Sequence, residues 1–109
     1  MTKVERMKVV RDALLSIKGL KVWHYLAPAK HGDEYVVWQE EDSRDLKADG
    51  LHVEDSLEGT IDLFTKTEYS ARIAEIEQAL ATARIGYELN STQYEDDTGF
   101  IHYEWTWAY

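Results

Sequence analysis

Four histidines, two acidic runs and a scatter of serines are the side chains with which this sequence could do chemistry. His24, His31, His52 and His102 stand in separate stretches, with no HExxH and no pair at i and i+4, so they lack the spacing of a metal site. Each reads as a surface or half-buried imidazole, free to meet an acid in the fold. The runs Glu40-Glu41-Asp42 and Glu95-Asp96-Asp97 place carboxylates close together, as a hard cation such as calcium or magnesium would require. Neither has the spacing of an EF-hand loop, and charge runs are usually solvated. Ser16, Ser43, Ser56, Ser70 and Ser91 have no nucleophile-elbow context, and the six glycines are scattered at turns and element ends. The chain has no cysteine, which excludes disulfides, thiolate catalysis and Cys-type zinc sites. The residues therefore predict no catalytic, cofactor-binding or metal site, and a protein that is not an enzyme.

With 109 residues, the chain has room for one domain, residues 1–109, and one core. It carries 12 basic and 21 acidic residues for a formal charge of -9. Such a surface argues against phosphate-backbone binding and against anionic membranes, and it favours solubility. No apolar run approaches the length of a membrane helix, and Met1-Thr2-Lys3-Val4-Glu5-Arg6 is not the start of a signal peptide, so work in the cytoplasm is expected. Four Trp and seven Tyr supply large apolar area with a polar handle, suited to half-buried sheets and subunit contacts.

The elements that would position these residues follow from periodicity. Val4, Met7, Val10, Leu14 and Ile17 recur at helical spacing over residues 2–18, with Thr2 and Glu5 forming a capping box and Gly19 ending the helix. Residues 21–25 and 34–39 read as strands, separated by a segment holding the one proline. In the second, Tyr35-Val36-Val37-Trp38 run together, so both faces are covered or one meets a partner. Residues 40–50 are strongly polar and predict a long exposed loop. A third strand over 51–64, bulged near Gly59, leads into a second helix over 68–84, marked by Tyr69, Ile73, Ile76, Leu80 and Ala83 and capped by Thr67 or Thr65. Residues 87–94 and 100–109 form a closing hairpin about the acidic turn. The order is α-β-β-β-α-β-β, an α+β fold.

Two helices cannot bury their stripes on each other and also shield five strands, so both are expected on one face of an antiparallel-rich mixed sheet. The other face must be polar or covered by another subunit. Along the last strand, Ile101, Tyr103, Trp105, Trp107 and Tyr109 share one face and Phe100, His102, Glu104, Thr106 and Ala108 the other. The first set fits under the helices, and Trp105, Trp107 and Tyr109 are candidates for packing or for contact with a neighbour. Glu40, Glu41, Asp42, Arg44, Asp45 and Lys47 are the candidate partner-contact loop.

Three stretches carry a family resemblance: the helix leading into Val22-Trp23-His24-Tyr25 and, after a loop, Tyr35-Val36-Val37-Trp38; the run Gly59-Thr60-Ile61-Asp62-Leu63-Phe64-Thr65-Lys66-Thr67-Glu68-Tyr69; and Tyr94-Glu95-Asp96-Asp97-Thr98-Gly99-Phe100-Ile101-His102-Tyr103. In order and length the chain resembles the tail terminator or tail-completion proteins, minor tail proteins of long-tailed bacteriophages and prophages. It departs at its end, Trp105-Thr106-Trp107-Ala108-Tyr109, where a charged tail is expected. The resemblance implies a virion structural protein, assembled in the host bacterial cytoplasm, forming a usually hexameric ring at the head-proximal end of the tail tube. Its partners would be copies of itself, the tail tube protein and the head connector or stopper. An acidic lumen would repel passing DNA. Two other readings stay open: a head-tail connector or stopper, and an acidic DNA mimic that inhibits a host protein.

Overall fold

The first helix begins where the spacing of Thr2 and Glu5 places it. In the computed structural model, which describes residues 1–41 and 56–109, the Thr2 hydroxyl accepts from the Glu5 amide at 3.1 Å and the Glu5 carboxylate accepts from the Thr2 amide at 2.6 Å. This capping box starts α1 (Lys3–Leu15). The helix stops three residues short of the expected end at 18. Ser16 donates its hydroxyl back to the Ala13 carbonyl at 2.6 Å, and the next amides bond three residues back instead of four.

The second helix, here α2, spans Arg72–Thr82 and also begins later than expected. Residues 66–71 form a turn in which Tyr69 takes a positive φ of 59° and is 88% exposed. Tyr69 therefore does not belong to the apolar stripe. The first turn is served by Ser70, whose hydroxyl oxygen accepts from the Arg72 amide, while Thr65 accepts from the Thr67 amide instead.

The strands of the described residues are β1 (Lys21–His24), β2 (Glu34–Glu41), β3 (Glu58–Thr65), β4 (Gly86–Glu95) and β5 (Phe100–Ala108). They form one sheet in the order β1-β2-β3-β5-β4, with β1 parallel to β2 and every other pair antiparallel. Among the described residues the fold is α+β, an antiparallel-rich mixed sheet of five strands with two helices. β2 continues through Glu41, so the exposed loop does not begin at residue 40; residues 42–50 lie outside the described residues, as do residues 51–55 of the expected third strand. The register across Gly59 is unbroken, correcting the expected bulge. The irregularity lies in β4, between Leu89 and Ser91.

Strand alternation divides the sheet cleanly. Val36, Trp38, Ile61, Leu63, Trp105 and Trp107 point to one face and are buried against Val10, Ala13 and Leu14 of α1 and Ile76 and Leu80 of α2. Fully burying a side chain of this kind contributes about 1.5–3 kcal/mol, so this single cluster carries most of the folding drive.

A polar joint fastens the core at one end. Glu34, at the start of β2, accepts from the hydroxyls of Thr65 and Ser70, each at 2.7 Å, and from Arg72 Nε at 3.2 Å. Arg72 also donates to the Lys18 carbonyl at 2.8 Å, tying α2 to the end of α1. Burial works to raise the Glu34 pKa, but the hydrogen bonds from Thr65, Ser70 and Arg72 outweigh it and hold the carboxyl below its ordinary value. Its stabilising effect is therefore present above the ordinary carboxyl pKa and lost as pH falls through the lowered value. Glu34→Gln is expected to cost roughly 1.5–3 kcal/mol at neutral pH, the range for hydrogen bonds to a charged group. Urea unfolding of both proteins across pH should show that gap closing in acid. A gap that widened there would contradict the assignment.

Candidate functional site

Among the described residues no helix covers the other face of the sheet, and its side chains are organised among themselves. Register places Tyr35, Val37, Gln39 and Glu41 of β2 beside Phe64, Asp62, Thr60 and Glu58 of β3. The next row on that face is His102, Glu104, Thr106 and Ala108 of β5. Aromatic rings fill the end nearest the hairpin turn. Tyr35 stacks on Phe64 at 5.0 Å between centroids, and Phe64 stacks on the His102 ring at 4.3 Å. Phe100 meets Tyr35 edge-on at 5.8 Å. Offset and edge-on contacts of this kind add to what buried area alone provides.

The connection between β1 and β2 crosses this face. His31 from it stacks on Tyr35 at 4.2 Å, and Trp23 of β1 meets the same ring edge-on at 5.9 Å. Between the connection and the strands lies an open groove of about 410 Å³, lined by Tyr25, Leu26, His31, Val37, Thr60 and Glu41 among others.

Carboxylates occupy the groove floor. His102 Nε2 lies 2.7 Å from Asp62 Oδ1, and Asn90 donates to Glu104 at 2.8 Å from the bulge in β4. Burial pushes the Asp62 carboxyl up, against the lowering effect of His102, with Glu104 and Glu41 adding repulsion. An imidazole oriented by a carboxylate is half of a nucleophilic triad. Among the described residues, Asp62 is the side chain hydrogen-bonded to His102. No group of three or more His, Asp or Glu among the described residues is placed to hold a metal ion.

Compared with protein-family models and with curated proteins, the chain matches none. What the face can do must therefore be read from its own chemistry: packed aromatic rings, carboxylates and an open groove.

The residues singled out from the sequence are placed differently. Glu40 lies on the helix-side register of β2, where His24 Nε2 approaches it at 2.7 Å and the Tyr25 phenol donates to its second oxygen. Burial acts to raise the Glu40 pKa, but Tyr25 and His24 outweigh it and lower the carboxyl. His24 is itself sandwiched between Tyr25 at 3.7 Å and Trp38 at 4.0 Å. Glu40 is thus a structural acceptor and not a free loop carboxylate. Glu41 borders the groove. Asp42, Arg44, Asp45 and Lys47 lie outside the described residues.

Trp105 and Trp107 are 0% and 2% exposed, so the helices, not a neighbour, cover them. Their indole N–H groups are satisfied within the chain, by Glu77 Oε2 at 2.8 Å and the Thr60 carbonyl at 3.2 Å. Tyr109 is partly buried, exchanges two backbone hydrogen bonds with Leu57 and lies under the Arg6 guanidinium at 5.7 Å. Two of the three described histidines do meet an acid, His24 with Glu40 and His102 with Asp62. Their partners stand 16 and 40 residues away, too far for spacing to reveal. Alternation on β3 and β5 was the available signal for the second pair. The turn after Glu95 is closed by the Gly99 amide on the Glu95 carbonyl at 2.8 Å, with Gly99 at φ 80°.

Among the described residues, no helix is long and apolar enough to cross a membrane.

Proposed function

We propose that the protein is a structural assembly protein of the kind the tail terminators represent: a ring, hexameric in that family, at the head-proximal end of a phage tail tube. The ring stops tube polymerisation and offers the joining surface for the head. The observation that carries this reading is the one-sided core. Among the described residues both helices cover one sheet face and no helix covers the other, where Tyr35 and Phe100 are buried among neighbouring rings and the β1–β2 connection, and Phe64, Asp62 and Glu104 are half-buried. The groove on that face leaves Tyr25 and Leu26 exposed, apolar area that suits contact with a partner better than contact with water alone.

In this reading the partners are copies of the chain, the tail tube protein and the head connector or stopper. The site of action is the virion tail, built in the host bacterial cytoplasm. The chemistry needed is interfacial, since no bond is made or broken. The strong negative charge of the chain would keep DNA moving past an acidic lumen.

Deleting the gene from its phage tests the proposal. Overlong or headless tails are expected. Tails of normal length that fail to join heads would favour a connector or stopper. Normal virions would refute both virion readings and favour the acidic inhibitor.

A further inference from the structure

The two edges of the sheet differ in charge. Residues 18–30, which lead into β1, form it and run into the connection after it, hold three Lys and no Asp or Glu. Residues 86–97, which form β4 and the acidic part of its turn, hold four Asp or Glu and no Lys or Arg. Lys18 and Lys21 are exposed beside β1 and Lys30 in the connection; Glu88, Glu95, Asp96 and Asp97 belong to β4 and its turn. Among the described residues, each edge strand pairs on one side only.

Edge strands are usually guarded by lysine, proline or brevity. β1 is short, at four residues. β4 is ten residues long, holds no lysine or proline, and exposes Tyr87, Leu89 and Tyr94 at 40%, 44% and 68%. Its guards are a bulge and two carboxylates, and carboxylates repel a second β4 while attracting a basic edge.

From these observations we infer that β4 of one copy pairs with β1 of the next, continuing the sheet from subunit to subunit. The strand directions allow it: β1 and β2 run one way, β3 and β4 the other, with β5 again as β2. Copies repeated about an axis along the strands therefore bring β4 against β1 in antiparallel sense. Val22, Val36, Leu63, Tyr103 and Thr92 already form one row across the sheet, so an unstaggered join sets Val22 of the next copy beside Thr92. The contact is heterologous, joining unlike patches, and closes into a ring when the rotation permits. The inference rests on the ring reading above, and it supplies the contact between copies.

Because the chain has no cysteine, cross-linking tests this directly. Val22→Cys and Thr92→Cys chains are prepared separately, mixed at high concentration and treated with a short bismaleimide. Covalent dimers are expected from the mixture and from neither chain alone, with a yield that falls as salt screens the opposed charges. Joint Lys18→Glu and Lys21→Glu changes should abolish the product, and Glu95→Lys with Asp96→Lys in the partner chain should restore it. That swap guards against a variant that merely misfolds. Dimers from Thr92→Cys alone would mean β4 pairs with itself and would overturn the inference, as would absence of product in the mixture. Cross-linking with the expected pattern, in a protein whose deletion leaves tails normal, would separate the edge contact from the tail reading.

Discussion

Trp105→Ala is expected to remove about 3–5 kcal/mol of stability, the range for truncating a large buried aromatic. Total stability for a domain is about 5–15 kcal/mol, so the variant should sit near or below its unfolding threshold at moderate temperature. Trp105 is fully buried, lies 6.3 Å from Tyr103 between ring centroids, and donates its indole N–H to Glu77 on α2. Alanine would leave a cavity under α2 and strip Glu77 of its partner together. Trp105→Phe should recover part of the loss, because it refills the cavity and leaves the carboxylate unserved. Urea unfolding of the three proteins decides the matter. The same series separates core from interface: a residue that served only a neighbour would alter association and leave the unfolding of the isolated chain unchanged. Wild-type stability in Trp105→Ala would return that residue to the interface.

The elements were legible where one physical signal dominated. The capping box of Thr2 and Glu5 marked the start of α1, and the alternation after Phe100 separated the buried Trp105 and Trp107 from the other face of β5. Boundaries failed where tertiary partners override local character. Glu40 and Glu41 read as loop because they are acidic, yet β2 carries them because Glu40 finds His24 and Tyr25 and Glu41 faces the groove. Thr67, Glu68 and Tyr69 resemble a helix start, but Ser70 is pinned to Glu34, which delays α2 to Arg72.

Strand order was out of reach for a related reason. Nothing local says that β5 inserts between β3 and β4, or that β1 runs parallel to β2. Those choices follow from how the helices cover the buried face, a property of the assembled molecule. The site shows the same limit more sharply. Its defining pair, Asp62 and His102, is made by register between two strands separated by a helix and another strand. Each member alone looks like an ordinary alternating polar position. The charge difference between the two edges, by contrast, was present in the residue order and needed only the sheet order to gain a meaning.

Gly59→Ala should be as damaging as the loss of a large core side chain, although it adds a single methyl. Gly59 stands on the buried face of β3, paired with Glu40 on one side and Trp107 on the other. A Cβ there would fall far inside contact distance of the Gln39 carbonyl oxygen and 2.7 Å from two carbons of the Trp107 ring. Neither neighbour yields easily: the carbonyl belongs to the backbone of β2, and the indole is buried and hydrogen-bonded to Thr60. Overpacking of this kind costs about 1–3 kcal/mol and occasionally more, and a clash with backbone belongs at the upper end. At roughly 4–8 °C per kcal/mol for a domain near this size, the thermal midpoint should fall by on the order of 10–20 °C. Combining the change with Trp107→Phe tests the cause, because a smaller ring relieves only its share of the clash. Partial recovery in the double variant is expected. Additive loss would show that the ring is not what the methyl meets, and would remove the reason this strand carries a glycine between Glu58 and Thr60.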